Sequence, residues 1–384
     1  MFTGRVGIIQ RVLADYRKPF FEKLAALPGL DLSVFAGKPL TNEGLKTVNI
    51  LENARLWYAG NRYFPAINGY LCWQSGIKQW LREFAPNILV IDTNPRLLTS
   101  ITAIRWMKKH RKPVLGWGLG DLPRSGPNWL CWIRKTLATK MVRRFNGIIA
   151  YSSKAAEDYA NAGVIPDKIY IAHNAIDNSE SERYLAEFGS PNCWAKSWKE
   201  TLNLHPNLPI ILFIGRLLVQ KKVDLLIEAC ASLFPKCQLL IVGEGPAMPS
   251  LKVCAKPYEK YIRFIGYRTG ADLAKCFLGA DLFVLPGWGG LAVYQAMSYG
   301  KPVIASLGDG TERDLVREGI NGVLFRPEDV TDLQEKIVDL LEHREKLSAM
   351  GKKSLEIIRN EMSLDAMVAS FDKALIQTTN SYYE

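Results

Sequence analysis

The sequence predicts an α/β protein built from two doubly wound, Rossmann-like domains that face each other across a cleft. Three observations lead to this prediction. Continuous apolar runs of strand length alternate with helical patterns, which is typical of parallel sheets covered on both faces. The alternation stops in a polar stretch near the middle of the 384-residue chain and then restarts. In the second half, glycines follow four successive predicted strands, at the edge where such sheets bind ligands.

The first predicted domain covers residues 1–178. Its strands are the apolar runs at 5–10, 31–36, 87–92, 113–117, 147–151 and 168–173. Its helices are predicted around Phe20 to Ala25 and at 76–84, 97–109, 129–145 and 153–162. Residues 37–70 have no clear period, so we expect a long loop there with one short strand near 48–51.

A polar, irregular stretch at 179–206, with several serines and asparagines, is predicted to be the linker. The second domain is expected at 207–360. Its strands are predicted at 209–214, 238–242, 262–265, 281–285, 303–305 and 323–325. Residues 361–384 are expected to form a carboxyl-terminal helix that packs back on the first domain.

The bulk composition excludes several classes of protein. No apolar run approaches the roughly 18 residues that cross a bilayer, and the first residues lack a signal-peptide pattern. The seven cysteines have no C-x-x-C spacing and the four histidines are far apart, so neither a disulfide framework nor a metal site is predicted. We therefore expect a protein without metal or cofactor, in the cytoplasm or peripheral on the cytoplasmic face of the membrane.

Charge is distributed unevenly along the chain. Residues 1–178 carry 25 basic and 12 acidic side chains, a net charge of +13, whereas the remainder carries −2. This asymmetry indicates an anionic partner for the first domain only. The predicted helix 129–145 combines tryptophans with lysines and arginines, which suits an anionic membrane surface. The alternative is an ordinary amphipathic helix with its tryptophans in the core. No nucleic-acid recognition motif accompanies the charge, so no nucleic-acid partner is expected.

A glycine-rich turn organises the second domain. The predicted strand 281–285 is followed by P-G-W-G-G at 286–290 and then by a helical pattern. Free backbone amides at a helix start suit a phosphate, although a tight connection between strand and helix would also need glycines. Arg216 and Lys221 follow an earlier strand of the same sheet, where together they could clamp a diphosphate. For either one alone solvated surface is the favoured interpretation, and it is their occurrence as a pair between glycine-marked strands that favours a ligand site.

The second half resembles the retaining glycosyltransferases of family 4, which have the GT-B fold. The matching segments are F-I-G-R-L-L-V-Q-K-K at 213–222, L-L-I-V-G-E-G-P at 239–246, A-D-L-F-V-L-P at 280–286 and Q-A-M-S-Y-G-K-P-V-I-A-S at 295–306. The first half is similar more loosely, through I-I-Q-R-V-L-A-D-Y-R-K-P-F-F at 8–21. The resemblance implies transfer of a sugar from a nucleoside-diphosphate sugar to a glycan or lipid-linked acceptor in bacterial polysaccharide or lipopolysaccharide synthesis, with retention of anomeric configuration.

The resemblance also implies roles for individual residues. Arg216 and Lys221 would hold the diphosphate and stabilise negative charge on the departing phosphate. Donor-binding positions would be Gly215, Gly243, Gly245, Gly266, Tyr267, Gly287, Gly289, Gly290, Leu291, Ala292, Gln295 and Glu312. For Glu312, the alternative is capping of the helix that follows Thr311. Acceptor-binding positions would be Arg17, Arg96 and Asp121, and Asp121 could instead be a salt-bridge or turn residue.

Two departures from the family pattern bear on activity. The family usually carries two glutamates across the glycine turn, and these positions are Gly287 and Gln295 here. Gln295 can hydrogen-bond a ribose diol, but Gly287 has no side chain. Leu119 stands where many relatives have a histidine. The alternative prediction is therefore a catalytically weakened or inactive relative that binds a nucleotide sugar and acts as a scaffold in glycan assembly.

Overall fold

The structure is a computed structural model that describes residues 1–66, 69–120, 128–189, 194–308 and 310–384. The chain forms two compact units. Unit 1 comprises Met1–Asp177 and Leu364–Glu384, and unit 2 comprises Asn178–Ser363. Each unit holds one sheet of mostly or entirely parallel strands with helices between them, which confirms the predicted α/β class with two Rossmann-like domains.

Fourteen strands belong to the two sheets in the described part of the chain. In unit 1 they are β1 Gly4–Val12, β2 Leu30–Gly37, β3 Arg55–Ala66, β4 Gly69–Ser75, β5 Ile88–Asp92, β6 Val114–Gly118, β7 Gly147–Ala150 and β8 Ile169–Ile171. In unit 2 they are β9 Ile210–Ile214, β10 Gln238–Val242, β11 Ile262–Phe264, β12 Leu282–Leu285, β13 Val303–Ser306 and β14 Gly322–Phe325.

Both sheets are doubly wound. The unit 1 sheet has the order β4-β3-β2-β1-β5-β6-β7-β8, in which only the β3–β4 pair is antiparallel. The unit 2 sheet is parallel throughout and has the order β11-β10-β9-β12-β13-β14. The direction of winding reverses between β1 and β5 and between β9 and β12. Ligands of doubly wound sheets bind at the carboxyl ends of the strands beside such a reversal.

Helices cover the sheets. Those before the second sheet are α1 Lys18–Ala25, α2 Ile77–Phe84, α3 Thr99–Lys109, α4 Asn128–Val142, α5 Ser153–Asn161, α6 Ser179–Phe188 and α7 Ala195–Thr201. The others are α8 Val223–Ala231, α9 Met248–Ala255, α10 Gly270–Gly279, α11 Gly290–Ser298, α12 Glu312–Leu315, α13 Val330–Glu342, α14 Arg344–Asn360 and α15 Leu364–Tyr383. Among the helices described, none combines the length and the apolar character needed to cross a lipid bilayer.

Helix α15 contributes to the core of unit 1. Its Phe371 is fully buried, with its ring centroid 4.7 Å from that of Phe20 on α1 and 4.8 Å from that of Trp117 on β6. These rings meet at edge-to-face angles, a favourable arrangement for aromatic pairs. The last helix of the described chain is therefore part of the unit whose sheet begins at β1.

The prediction of a loop at 37–70 is wrong for the second half of that range. Residues 55–66 and 69–75 form the antiparallel pair β3 and β4, with Gly60 opposite Ser75 and Ala66 opposite Gly69. Periodicity did not reveal β3 because most of its residues are exposed or half-buried and because Gly60 and Pro65 interrupt it. The short strand expected near 48–51 is also wrong, since the structure has only an isolated bridge between Ala14 and Thr47 there.

The irregular linker predicted at 179–206 is a second correction. Helices α6 and α7 occupy most of it. Tyr184 stacks on Phe188 at 5.6 Å, and Trp194 meets Trp198 edge-on at 5.8 Å. Both pairs are four residues apart, the spacing at which side chains meet on a helix. The signal was present in the sequence but was masked by the polar residues around it.

Candidate functional site

The loops that follow β9 and β12 meet at the carboxyl edge of the unit 2 sheet. The Trp288 N–H donates to the Gln220 carbonyl at 3.2 Å, and the Lys221 ammonium donates to the Trp288 carbonyl. A Cβ added to Gly287 would lie 2.1 Å from the Gln220 oxygen and 2.8 Å from the Lys221 Cα. Glycine is therefore required at 287 because the backbone of the other loop occupies the side-chain position. This contact brings the cation of Lys221 to the glycine-rich turn.

Helix α11 begins directly after this turn. Gly289, its N-cap, has φ 142°, a conformation that side chains disfavour. A Cβ on Gly290 would lie 1.9 Å from the Thr311 hydroxyl oxygen. Leu291, Ala292 and Gln295 are half-buried on one face of the helix, whereas Val293 and Tyr294 are fully buried. The predicted donor residues of α11 thus share its less buried face, close to its amide-bearing start.

The loops after β9, β10 and β11 are joined through their backbones. Gly215 N–H donates to the Val242 carbonyl at 3.0 Å, and Gly243 N–H donates to the Gly266 carbonyl at 2.9 Å. A Cβ on Gly243 would lie 2.0 Å from the Gly215 oxygen, and one on Gly245 would lie 2.3 Å from the Leu217 oxygen. These two glycines therefore permit loop-to-loop contact, which is a structural reason for them in addition to any approach of a ligand.

Polar side chains lie at the β9–β11 side of this edge. Arg216 is exposed, and Tyr267 is 56% exposed. The Tyr267 N–H lies 3.4 Å from a carboxylate oxygen of the exposed Glu244. Gly266 has φ 70°, so it turns the chain directly before Tyr267. The structure therefore gives this part of the edge an accessible guanidinium and an accessible phenol.

Glu312 is fully buried at the start of α12. Its Oε2 accepts the N–H groups of Gly308 at 3.3 Å and Gly310 at 3.1 Å. The carboxylate thus holds the turn that precedes it in the chain. The capping alternative for Glu312 is wrong, since its side chain binds amides before the helix, and its role toward the donor stays a prediction.

In unit 1, Arg17 lies among aromatic rings at the carboxyl edge of the sheet. Its guanidinium donates to the Tyr151 hydroxyl at 2.6 Å and lies 4.5 Å from the centroid of the Trp117 ring. Burial lowers the pKa of Arg17, but the hydroxyls of Tyr151 and Tyr16 outweigh it and raise the pKa overall. Burial likewise raises the pKa of the Tyr151 phenol. Arg17 therefore stays charged in a largely apolar setting.

Asp92 ends β5, the strand next to β1. Burial raises the pKa of its carboxyl group, and the Asn94 N–H together with the charges of Arg17 and Arg11 opposes this rise. The Asn94 N–H donates to Asp92 Oδ1 at 2.9 Å. Arg17 and Asp92 thus follow or end the two strands between which the winding of unit 1 reverses, the position expected for a ligand site.

The other two predicted acceptor residues are placed differently. Arg96 lies beside β4, where a Cβ on Gly69 would be 2.7 Å from one of its guanidinium nitrogens. Asp121 lies outside the described residues. Within the residues that the structure describes, no group of three or more His, Cys, Asp or Glu side chains is arranged to hold a metal ion.

Sequence reasoning missed several residues at both edges. Trp288 lies within the glycine-rich turn and is 40% exposed, and Leu307 directly follows β13 and is 42% exposed. Trp117 and Tyr151 surround Arg17. The signal that could have found Trp117 and Tyr151 is an aromatic side chain within or just after the carboxyl end of a strand. Hydrophobic periodicity assigns such a residue to the core.

Comparisons with known proteins bear on the second unit and on the fold. Residues 195–356 match the family model of the glycosyl transferases group 1. The sulfoquinovosyl transferase SQD2 of Arabidopsis thaliana is 32% identical over 160 residues, which are 40% of this chain and 31% of that protein. The alpha-D-kanosaminyltransferase of Streptomyces kanamyceticus is 24% identical over 56% of this chain and 57% of its own length. The matched segments thus span from about a third to somewhat over half of these relatives.

The fold is shared over nearly the whole chain. The crystal structure of Anabaena Alr3699/HepE in complex with UDP superposes with a TM-score of 0.72 and 16% identity, covering 97% of this chain and 99% of that one. At this identity the likeness shows the fold, which is the predicted GT-B class. The family match in unit 2 and the GT-B fold together support a glycosyltransferase.

Proposed function

We propose that the chain transfers a sugar from a nucleoside-diphosphate sugar to a glycan or lipid-linked acceptor, with retention of anomeric configuration, in cell-surface glycan synthesis. One observation carries the proposal. The glycosyl transferases group 1 match covers the loops after β9 and β12, and the structure brings Lys221 and the amide-bearing start of α11 together there. A cation beside free amides suits a diphosphate.

Each side of the edge then has a role. Arg216 and Lys221 bind the diphosphate and stabilise the negative charge that grows on the departing phosphate. Lys221, which now donates to the Trp288 carbonyl, exchanges that acceptor for a phosphate oxygen. Gly266 and the exposed Tyr267 border the nucleobase, and Gln295 hydrogen-bonds the ribose. The departing phosphate takes the acceptor's proton, so no side-chain base is needed in this scheme and no metal is invoked.

Unit 1 is the proposed acceptor domain. Arg17 supplies a buried positive charge and Asp92 a carboxyl group at the winding reversal of its sheet. This pair suits an acceptor with hydroxyl or phosphate groups. Arg96 and Asp121 remain proposals for the same role.

Nucleotide binding tests the donor site. Thermal shifts with UDP, GDP, ADP, CDP and dTDP should show selective stabilisation by one nucleotide. Arg216→Ala should weaken binding of that nucleotide at least about tenfold, since a hydrogen bond to a charged group contributes roughly 1.5–3 kcal/mol. Arg359→Ala is a matched control, because Arg359 pairs with Glu182 on the surface of unit 2. Stabilisation by none of the nucleotides, or equal binding by the wild type and Arg216→Ala, would contradict the proposal.

A non-catalytic scaffold is the second candidate. The tight contact at Gly287 favours it, because that contact leaves no room for a side chain between the two loops. Transfer of a radiolabelled sugar from the donor of the preferred nucleotide to membrane and polysaccharide fractions separates the two. Binding without any transfer would support the scaffold.

Peripheral membrane contact is a further part of the proposal. On α4, Trp132 is 68% exposed and Leu137 is 56% exposed, and Lys135 and Lys140 are exposed beside them. Exposed apolar side chains among cations suit an anionic lipid surface. Co-sedimentation with phosphatidylglycerol vesicles should exceed that with phosphatidylcholine vesicles and should fall in Trp132→Ala. Equal sedimentation with both kinds of vesicle would exclude this contact.

A further inference from the structure

Exposed apolar side chains are concentrated at the carboxyl edge of the unit 2 sheet. In the described part of unit 2, the exposed large apolar or aromatic side chains are Val219, Val253, Tyr267, Trp288, Leu307 and Ile320. Four of these six are in loops that follow a strand at its carboxyl end: Val219, Tyr267, Trp288 and Leu307. Exposed apolar groups that gather at one place on a surface mark contact with a ligand or partner.

Val219, Trp288 and Leu307, here called the apolar rim, lie in three adjacent loops at this edge. They follow β9, β12 and β13, which are adjacent in the sheet. The Gln220 carbonyl, next to Val219, accepts the Trp288 N–H at 3.2 Å. A Cβ on Gly308, next to Leu307, would lie 2.9 Å from Cδ1 of Trp288. Trp288 is therefore in contact with the segments on both sides of it.

With the diphosphate on Lys221, as proposed above, the sugar of the donor would lie near this rim. The Lys221 ammonium, proposed above to bind the diphosphate, contacts the carbonyl of Trp288 itself. A sugar attached to a phosphate that Lys221 binds would therefore lie within reach of the loop that carries Trp288. The exposed apolar side chains of the rim are Val219, Trp288 and Leu307, which are 76%, 40% and 42% exposed respectively.

Gly287 and Glu312, two described residues beside the rim, direct no carboxylate toward it. Gly287 has no side chain, and a Cβ there would meet the backbone of Gln220 at 2.1 Å. Glu312 is fully buried, and its Oε2 is held by the amides of Gly308 and Gly310. In this arrangement neither of these two residues presents a carboxylate to sugar hydroxyls, and in the described part of the loops after β12 and β13 the exposed Trp288 and Leu307 offer the sugar apolar surface.

We propose that the donor sugar bears a methyl group, and that Trp288 and Leu307 bind this group. Two sugars have this chemistry: a 6-deoxyhexose, with the methyl at C6, and an N-acetylhexosamine, with the methyl in its acetamido group. Trp288 and Leu307 are then specificity-determining residues. The inference rests on the proposed donor site and assigns its substrate class.

Isothermal titration tests this with a matched set of ligands. The nucleotide that stabilises the protein best is compared with its glucose, 6-deoxyglucose and N-acetylglucosamine esters. One methyl-bearing ester should bind at least about fourfold more tightly than the glucose ester, the ratio expected for burying one methyl group. Which of the two esters does so identifies the source of the methyl group.

Variants locate the preference. Trp288→Ala and Leu307→Ser should each reduce the affinity ratio of the methyl-bearing ester to the glucose ester toward one. The affinity of each variant for the nucleotide alone is the internal reference. Ile320→Ser is the matched control, because Ile320 is 50% exposed in a loop on the opposite side of the sheet from the strand carboxyl ends. The affinity ratio of the two esters should be unchanged in Ile320→Ser.

The outcomes separate this inference from the proposed function. Equal affinity for the three esters, or a preference that survives both rim variants, overturns the inference while nucleotide binding stands. Absence of binding by every nucleotide overturns the proposed function and the inference with it.

Discussion

Replacing Gly287 by alanine tests the contact between the two loops that build the donor site. Gly287 does not have a positive φ, so alanine adds no backbone strain and only its Cβ matters. That atom would lie 2.1 Å from the Gln220 oxygen, against the 3.4–4 Å of ordinary contact. The loops must separate by more than about 1 Å, which we expect to cost roughly 1–3 kcal/mol as overpacking. Loss of the Trp288-to-Gln220 hydrogen bond adds about 1 kcal/mol.

Scanning calorimetry of the whole protein measures this cost as a change in the unfolding temperature of unit 2. For a unit of this size, about 3 kcal/mol corresponds to a fall in Tm of roughly 6–12 °C. Gly287→Glu should lose as much stability as Gly287→Ala and should not gain donor affinity, because both changes have the same clashing Cβ. Gly319→Ala is the control, since Gly319 has φ 74° and open space around it, so it reports a conformational cost of about 1 kcal/mol. A Gly287→Ala protein as stable as the wild type would refute the reasoning.

Two further predictions concern the cores. Burial lowers the pKa of Lys301 to about 8, against the opposing charge of Asp281, although its ammonium donates to the Leu278 and Ala280 carbonyls. As pH falls from about 10 to 8, the Lys301 side chain is protonated in the unfolded chain before it is protonated in the folded one. The free energy of unfolding should therefore fall by up to about 2–3 kcal/mol over this range. Urea unfolding of Lys301→Met should lack this part of the dependence of stability on pH. Phe371→Ala should destabilise unit 1 by about 3–5 kcal/mol, whereas Gln377→Ala, exposed on the same helix, should change it by less than about 0.5 kcal/mol. Equal pH slopes, or equal losses in the two α15 variants, would contradict these predictions.

The strands that the sequence predicted well are those buried on both faces. Runs such as 239–242 are apolar throughout, because each face of a covered parallel sheet excludes water. Strand β3 was missed because its residues are largely exposed or half-buried, and Gly60 and Pro65 disturb any alternation. Helices α6 and α7 were missed for a different reason: their stabilising contacts are a few aromatic pairs within a polar composition.

At the candidate site, the residue types were easier to predict than the structural roles of those residues. The sequence indicated that glycines cluster at strand ends, but it could not distinguish room for a ligand from room for another loop. Gly243, Gly245 and Gly287 all face carbonyl oxygens of neighbouring loops at 2.0–2.3 Å from an added Cβ. Such contacts join segments that are far apart in sequence, so no local pattern encodes them. The roles of Arg216 and Lys221 remain predictions.

The place of α15 in unit 1 has a consequence for biosynthesis. Unit 2 is a continuous segment, whereas unit 1 is interrupted by it between Asp177 and Leu364. On the ribosome, all of unit 2 is therefore translated before Phe371 exists to cover Phe20 and Trp117. Domains of nascent chains usually fold in order from the amino terminus. Here the first unit to begin is the last to be completed, and its aromatic surface is left uncovered by α15 until then.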